Sequence, residues 1–308
     1  MKLVFLGASG FAVPSLKALA SSSHELVAVV VPPAAPAGRG RRPRRTPVED
    51  AARAAGLTVL DPTAPNDPAF VAALAELRPD LGVLVAFGCI LRPDLLAAPA
   101  RGFLNLHPSL LPRWRGAAPI PRALMAGDTR TGVTVIRLNE RVDAGDILAQ
   151  EPVPIGPDET AGELSDRLAA AGANLLLTTF DRLARQELPG ATQDPALVTP
   201  APKLRPPDRV LDWTRPATEL HNRVRALSPE PGAVAGFRDR RLLVLRSHPS
   251  PADGSAPPGS ILADRPGFVA ATGNGTLEIL ELRPEGGRRQ SGRDFRNGAR
   301  LSPGERLT

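Results

Sequence analysis

Cysteine is nearly absent: Cys89 is the single thiol in 308 residues. One cysteine excludes an internal disulfide framework and a cysteine-built zinc site. Its apolar Gly-Cys-Ile-Leu setting has no adjacent base, which argues against a nucleophile. Long apolar runs are also lacking, and none approaches the roughly 18 to 20 residues that a membrane helix needs. The apolar start Met1–Gly7 is broken by Gly7-Ala8-Ser9-Gly10, so it reads as a buried strand and turn rather than a signal peptide. The expectation is a cytoplasmic protein with no membrane contact. Lysine is scarce as well. Lys2, Lys17 and Lys203 are the three present, so arginine carries nearly all the positive charge, a bias that composition alone could produce.

A complete dinucleotide-binding glycine pattern is missing too. Gly7-x-x-Gly10 follows the first predicted strand without the full Gly-x-Gly-x-x-Gly, and no acidic residue ends the second strand. That excludes nicotinamide binding and leaves either a phosphate cradle at a helix start or a close turn. Aromatic residues are few in the last third (Trp213, Phe237, Phe268 and Phe295), which argues against stacking of single-stranded bases.

The hydrophobic share of 42% is enough for real cores, and the length points to two domains. The formal charge of +6 is uneven. Residues 205–308 hold 17 arginines against 12 carboxylates, a net +5, which leaves +1 for the rest. Such asymmetry suggests a polyanion partner for the last third, with a solvated basic surface as the alternative.

The chain opens as strand (Lys2–Leu6), turn, helix (Ala12–Ser21) and strand (Val27–Val31), the form of a doubly wound, mostly parallel sheet. Pro32 to Pro47 is a long loop with five arginines, including Arg39, Arg41 and Arg42, in a Pro- and Gly-rich setting. It is either a solvated linker or a phosphate contact. Helices are predicted over Val48–Ala55, Pro68–Leu77 (started by Asp67-Pro68), Ala117–Met125 and Ala161–Gln186, and strands over Leu81–Phe87, Val133–Leu138 and Ile147–Val153. Residues 1–188 then form one domain, and 189–204, rich in Pro, Gly and Thr, a linker. In 205–308 a helix over Ala217–Leu227, capped near Thr214 or Thr218, precedes short strands at Gly232–Phe237, Arg241–Arg246, Gly259–Leu262, Gly267–Thr272 and Gly275–Leu282. That pattern suggests a small β-barrel of the OB kind, a platform suited to backbone recognition of a folded RNA.

One stretch organises the first domain. Phe103-Leu104-Asn105-Leu106-His107 alternates at period two, which puts Asn105 and His107 on one strand face just before Pro108. A buried amide and imidazole need partners. Val142-Asp143-Ala144-Gly145-Asp146 supplies carboxylates after the Val133–Leu138 strand. Asn, His and Asp together can hold an oxyanion, move a proton and orient the ring. A structural or solvated histidine is the alternative.

The run Asn105-Leu106-His107-Pro108-Ser109-Leu110-Leu111-Pro112-Arg113-Trp114-Arg115-Gly116, with Asp143 36 positions after His107, closely resembles the folate-dependent formyltransferases. The likeness covers nearly the whole chain in the branch that acts on methionyl-tRNA. It includes Pro36–Gly40, Ala86–Leu91, Gly127–Thr134, Ala201–Leu204 with Asp212-Trp213, Leu282–Gly286 and Asp294–Gly298. The branch that formylates glycinamide ribonucleotide is similar around Asn105 and His107 but lacks the basic second domain. This sequence departs from the family at Ala8-Ser9-Gly10 (usually Thr-Pro-x) and Pro32-Pro33-Ala34 (usually Gln-Pro-Asp).

The resemblance implies transfer of a formyl group from 10-formyltetrahydrofolate to the α-amino group of methionine on initiator tRNA, with no metal. It implies Asn105 and His107 at the oxyanion, and Asp143 tuning His107 and relaying a proton, with Asp146 the weaker candidate. Folate would lie against Phe87, Gly88, Cys89, Ile90 and Leu91, near Ser109, Leu110, Leu111 and Pro112. Arg39, Arg41 and Arg42 would meet the tRNA acceptor arm, the basic barrel would hold its phosphates, and the protein would act as a monomer. Rival readings are a formyltransferase or formyl-folate hydrolase for small molecules, and a non-catalytic RNA-binding protein.

Overall fold

Apolar side chains along the first strand decide the centre of the molecule. Leu3, Val4, Phe5 and Leu6 are all fully buried in β1 (Lys2–Gly7). A strand buried on both faces belongs in the middle of a sheet covered by helices. The structure, a computed structural model, describes all residues except 34–35, 38–41, 44, 186–187, 252–255 and 303, and leaves aside the side chains of 36–37 and 42–43. It separates into two compact units. One holds residues 1–117, 130–154 and 165–201; the other holds 118–129, 155–164 and 202–308.

After β1 come α1 (Val13–Ala20), β2 (Glu25–Val30), the two-residue strands β3 (Pro36–Ala37) and β4 (Arg42–Pro43), α2 (Pro47–Ala54) and β5 (Val59–Leu60). Then follow α3 (Pro68–Glu76), β6 (Leu81–Val85), α4 (Pro93–Leu96), β7 (Phe103–His107), α5 (Pro119–Met125), β8 (Arg130–Arg137), β9 (Ile147–Pro154) and α6 (Ala161–Arg185). The first unit's sheet runs β5-β2-β1-β6-β7-β8-β9. Pairing is parallel from β5 to β7 and antiparallel at β7–β8 and β8–β9. This is the predicted mostly parallel α/β sheet.

Local chemistry starts two of the helices, the second of them at the predicted Asp67-Pro68. Thr46 accepts the Glu49 N–H at 3.1 Å with Pro47 following it, and Asp67 accepts from Ala69 at 2.9 Å ahead of Pro68. On one face Val4, Leu6, Leu74, Leu95 and Phe103 share a core. On the other, Gly172 of α6 lies so close to Leu106 that a Cβ there would sit 2.5 Å from its side chain. The expected 32–47 loop is not wholly irregular, since β3 and β4 pair antiparallel within it and Pro47 already belongs to α2.

In the second unit, α7 (Ala217–Leu227) lays Leu220, Val224 and Leu227 on a core shared with β10 (Ala233–Phe237), β11 (Arg240–Ser250), β12 (Phe268–Ala271) and β13 (Thr276–Pro284). Two further elements close the chain, β14 (Gln290–Ser291) and α8 (Gly292–Ala299). The sheet is antiparallel in the order β10-β11-β13-β12, with β14 beside β13. Register slips between Val244 and Ser247 bend β11, as extra residues in a ladder do. The result is a curled, OB-like half-barrel.

Three local expectations are corrected. No side chain caps α7. It starts after Pro216, while the Thr214 hydroxyl donates instead to Asp212 at 2.6 Å. Residues 259–262 make isolated bridges at Ser260 and Ile261, not a strand. The helix α8 was not predicted, because Gly292-Arg293-Asp294-Phe295-Arg296-Asn297-Gly298-Ala299 has little apolar periodicity; it is started by Ser291 accepting from Asp294 at 3.0 Å. Among the described residues no helix is long and apolar enough to cross a membrane, and no His, Cys, Asp and Glu gather as a metal-holding group.

Candidate active site

The site is built on β7. Gly82 of β6 pairs with Phe103, and a Cβ at Gly82 would fall 2.1 Å from the Phe103 ring. The missing side chain therefore lets that ring lie over the neighbouring strand. Two and four residues on, on the same face, come Asn105 and His107, 5% and 4% exposed. Burial this deep requires hydrogen-bond partners, and both have them.

Those partners come from two loops. Asn105 Nδ2 donates to Asp143 Oδ1 at 3.2 Å, and Asp143 Oδ2 accepts the Gly116 N–H at 2.9 Å and lies 3.5 Å from His107 Nδ1. His107 Nε2 is 2.9 Å from the Trp114 carbonyl oxygen. A carbonyl can only accept, so Nε2 carries a proton, and Nδ1 lies on the side of the Asp143 carboxylate. Asp143 and Trp114 hold left-handed backbones, with φ of 49° and 62°. Such values are uncommon outside glycine and persist where surroundings enforce them.

Beside this trio lies an open cleft. Its apolar wall includes Leu84, Ile90, Leu91 and Val142, and its polar wall includes Asn105 and Asp143 together with Asn139, Glu140 and Arg141. Ile90 and Val142 are 70% and 57% exposed, unusual for large aliphatic side chains, and both face this cleft. An apolar cleft with a few convergent polar groups is the usual form of a small-molecule site.

The other sequence-predicted residues are spread more widely. Cys89, Ile90 and Leu91 line the cleft. Phe87 is buried in the core beneath it, and Gly88 takes a φ of 83° at the bend between them. Ser109 is fully buried with its hydroxyl on the Arg113 carbonyl at 2.7 Å, and Leu111 is buried too; neither of these nor Leu110 or Pro112 lines the cleft. Thr134 and Gln150 hold this segment, through Thr134 Oγ1 to the Ser109 carbonyl at 2.6 Å and Gln150 Nε2 to the Leu111 carbonyl at 2.9 Å. Asp146 accepts from the Thr192 hydroxyl at 3.1 Å, a partner within the protein. Arg39 and Arg41 lie outside the described residues, and of Arg42 only the backbone pairing with Ala37 is described.

Sequence reasoning missed the supports. Arg115 directs Nε and Nη2 at Gln193 Oε1, at 2.9 and 2.7 Å. Burial and nearby Arg141 lower the Arg115 pKa, with Asp143 opposing. Gln193 sits among prolines and glycines that read as linker, and no periodicity marks it. Residues 189–204, the expected linker, are bound to the first unit as far as Ala201, whose N–H donates to the Arg115 carbonyl at 2.7 Å.

Comparisons agree with this arrangement. Residues 1–180 match the formyl transferase family, and residues 203–300 match the formyl transferase C-terminal domain. A methionyl-tRNA formyltransferase of Symbiobacterium thermophilum is 45% identical over 312 residues, spanning all of this chain and 95% of that protein. One from Roseiflexus castenholzii is 44% identical over 309 residues, spanning all of this chain and 99% of its own. In fold, the chain is similar to an N-formyltransferase of Helicobacter canadensis solved with folinic acid and dTDP-3-aminofucose (TM-score 0.70, 17% identity, 91% of this chain and 99% of that one). It is also similar to HypX of Aquifex aeolicus solved with tetrahydrofolic acid (TM-score 0.68, 18% identity, 99% of this chain and 48% of that one). With both of its units matched and full-length relatives of one kind, this chain belongs to the formyl transferase family, alongside the methionyl-tRNA formyltransferases.

Proposed function

We propose that the chain transfers the formyl group of 10-formyltetrahydrofolate to the α-amino group of methionyl-initiator tRNA, acting as a cytoplasmic monomer. In this reading residues 1–188 carry the reacting groups, 189–204 join the two domains while packing on the first as far as Ala201, and 205–308 hold the tRNA. The kind of reaction rests on the full-length relatives. The residue roles rest on one observation, the convergence of Asn105, His107 and Asp143 beside an apolar cleft.

The cleft suits the donor. Exposed Ile90 and Val142 offer apolar surface to a flat ring, and Asn105 and Asp143 offer polar edges. When bound, the donor supplies an activated formyl carbon. Asn105 has two amide protons. One is on Asp143, and the other is available to the formyl oxygen as negative charge develops there. With its Nε2–H held by the Trp114 carbonyl, the His107 ring is fixed with Nδ1 toward Asp143 and joins Asn105 at the oxyanion. The amine nitrogen bonds to the formyl carbon, and the bond from that carbon to the donor nitrogen breaks as the intermediate collapses. The proton that the amine loses passes through water to Asp143 and on to the departing nitrogen, which leaves as tetrahydrofolate. The acceptor-arm contacts are assigned to Arg39, Arg41 and Arg42, and phosphate binding to the arginine-rich C-terminal unit.

The test is a formylation assay with 10-formyltetrahydrofolate and three acceptors: methionyl-initiator tRNA, an amino-sugar nucleotide and glycinamide ribonucleotide. N-formylmethionyl-tRNA as the main product supports the proposal. Preferred use of a small acceptor, or formate release without an acceptor, overturns it. Sedimentation at micromolar concentration checks the monomer.

A further inference from the structure

Gln193 is 5% exposed and uses its whole hydrogen-bonding capacity. Its Oε1 accepts from Arg115 Nε and Nη2, at 2.9 and 2.7 Å, and its Nε2 donates to the main-chain carbonyls of Asp143 and Gly145, at 2.8 and 2.7 Å. Arginine offers donors only and carbonyls acceptors only, so one amide orientation satisfies all four bonds. A single side chain thus joins the loop after β7, which supplies Trp114 to His107, to the loop after β8, which supplies Asp143. Its neighbours repeat the pattern. Thr199 Oγ1 accepts the Trp114 N–H at 2.8 Å, the Thr199 carbonyl accepts the Arg115 N–H at 2.9 Å, and Ala191 exchanges main-chain bonds with Ile147 at 2.9 Å. Both residues presented to the site by these loops, Trp114 and Asp143, have left-handed backbones that need outside support.

We propose that Gln193 is a positioning residue for formyl transfer: through the Asp143 main chain it holds the carboxylate within reach of Asn105 and His107. The proposal rests on the reading of those three residues given above. Gln193 touches no reacting atom, and its effect passes entirely through the loop. A shift of about an ångström in a reacting group can cost on the order of a hundredfold in rate.

The experiment compares Gln193→Glu and Gln193→Ala in the full chain. The first keeps length and the Arg115 pairing but turns a carboxylate toward two carbonyls, and the second removes all four bonds. Both are expected to lower kcat about 10- to 100-fold, with KM for donor and tRNA changed by less than about twofold. On an Asp143→Asn background, replacing Gln193 should add little, because residues acting as a unit are not additive. A parallel His107→Ala separates the two failures. If His107→Ala keeps the wild-type rate, the catalytic reading falls. If His107→Ala is inactive while both Gln193 variants keep wild-type kcat, the positioning role alone falls. A full multiplicative loss on the Asp143→Asn background overturns that role, and so does failure of both variants to fold, since Gln193 would then be holding the domain and not the site.

Discussion

Asn105 and Asp143 stand 38 residues apart in the chain and 3.2 Å apart in the fold, amide nitrogen to carboxylate oxygen. One sits on a buried strand and the other on a loop whose backbone is left-handed at that residue, so the pair is a product of the fold around it. The bond also orients the amide, which leaves its second proton directed by the first.

Asn105→Ala is expected to lower kcat about 100- to 1000-fold, the usual effect of deleting one oxyanion donor. Steady-state formylation of methionyl-tRNA measures it, with a circular dichroism melt as the folding control. A variant with near wild-type kcat would remove Asn105 from the chemistry.

Gly116 has a φ of 125°, and a Cβ there would lie 2.7 Å from the Ala201 carbonyl oxygen. Gly116→Ala should therefore destabilise by about 1–3 kcal/mol and also slow the reaction, because the Gly116 N–H is a ligand of the Asp143 carboxylate. Urea unfolding and kcat should move together. Unchanged stability would mean that the backbone accommodates the methyl group.

Gly82→Ala collides with the Phe103 ring. Overpacking of this kind costs about 1–3 kcal/mol. Phe103→Leu should relieve part of the loss when the two are combined, since contacting residues are coupled. Purely additive effects in thermal denaturation would disprove the contact.

Thr160 and Glu163 form a reciprocal cap at the start of α6. The Thr160 N–H and hydroxyl donate to Glu163 at 2.9 and 2.7 Å, and the Glu163 N–H returns to the Thr160 hydroxyl at 3.3 Å. These bonds, with Arg246 at 2.5 Å, lower the Glu163 carboxyl to about 2, from 4.5. A depressed carboxyl pKa adds stability above the unfolded value, and the gain is lost as pH falls from about 4.5 toward 2. The group is half exposed, so solvent screening keeps the effect small. Glu163→Gln should be less stable than wild type at pH 7, with the gap closing across that acid range. A gap independent of pH would contradict the ionic part of the cap.

Binding of methionyl-tRNA should weaken steeply with salt, with a slope of about −0.7 to −0.9 in log K against log salt per phosphate neutralised. Arg39→Ala should damage use of tRNA far more than use of folate. Filter binding at several salt concentrations and separate KM values for the two substrates check this, and equal loss of both would count against the loop.

By itself the sequence determined the central strands of the first sheet, the helix start at Asp67-Pro68, and the Asn105–His107 face. Each depends on period-two alternation, capping chemistry or burial of apolar runs, all local in the chain. The short helix α8 escaped because its polar sequence has almost no periodicity, and the cap of α7 failed because Asp212 took the Thr214 hydroxyl. Only the tertiary structure decided which groups satisfy the buried amide and imidazole. The Trp114 carbonyl, the Gly116 N–H and Gln193 lie on segments distant in sequence, and main-chain partners carry no residue-type signal. Main-chain bonding likewise fastened residues 191–201 to the first unit, where their composition alone indicated a free linker.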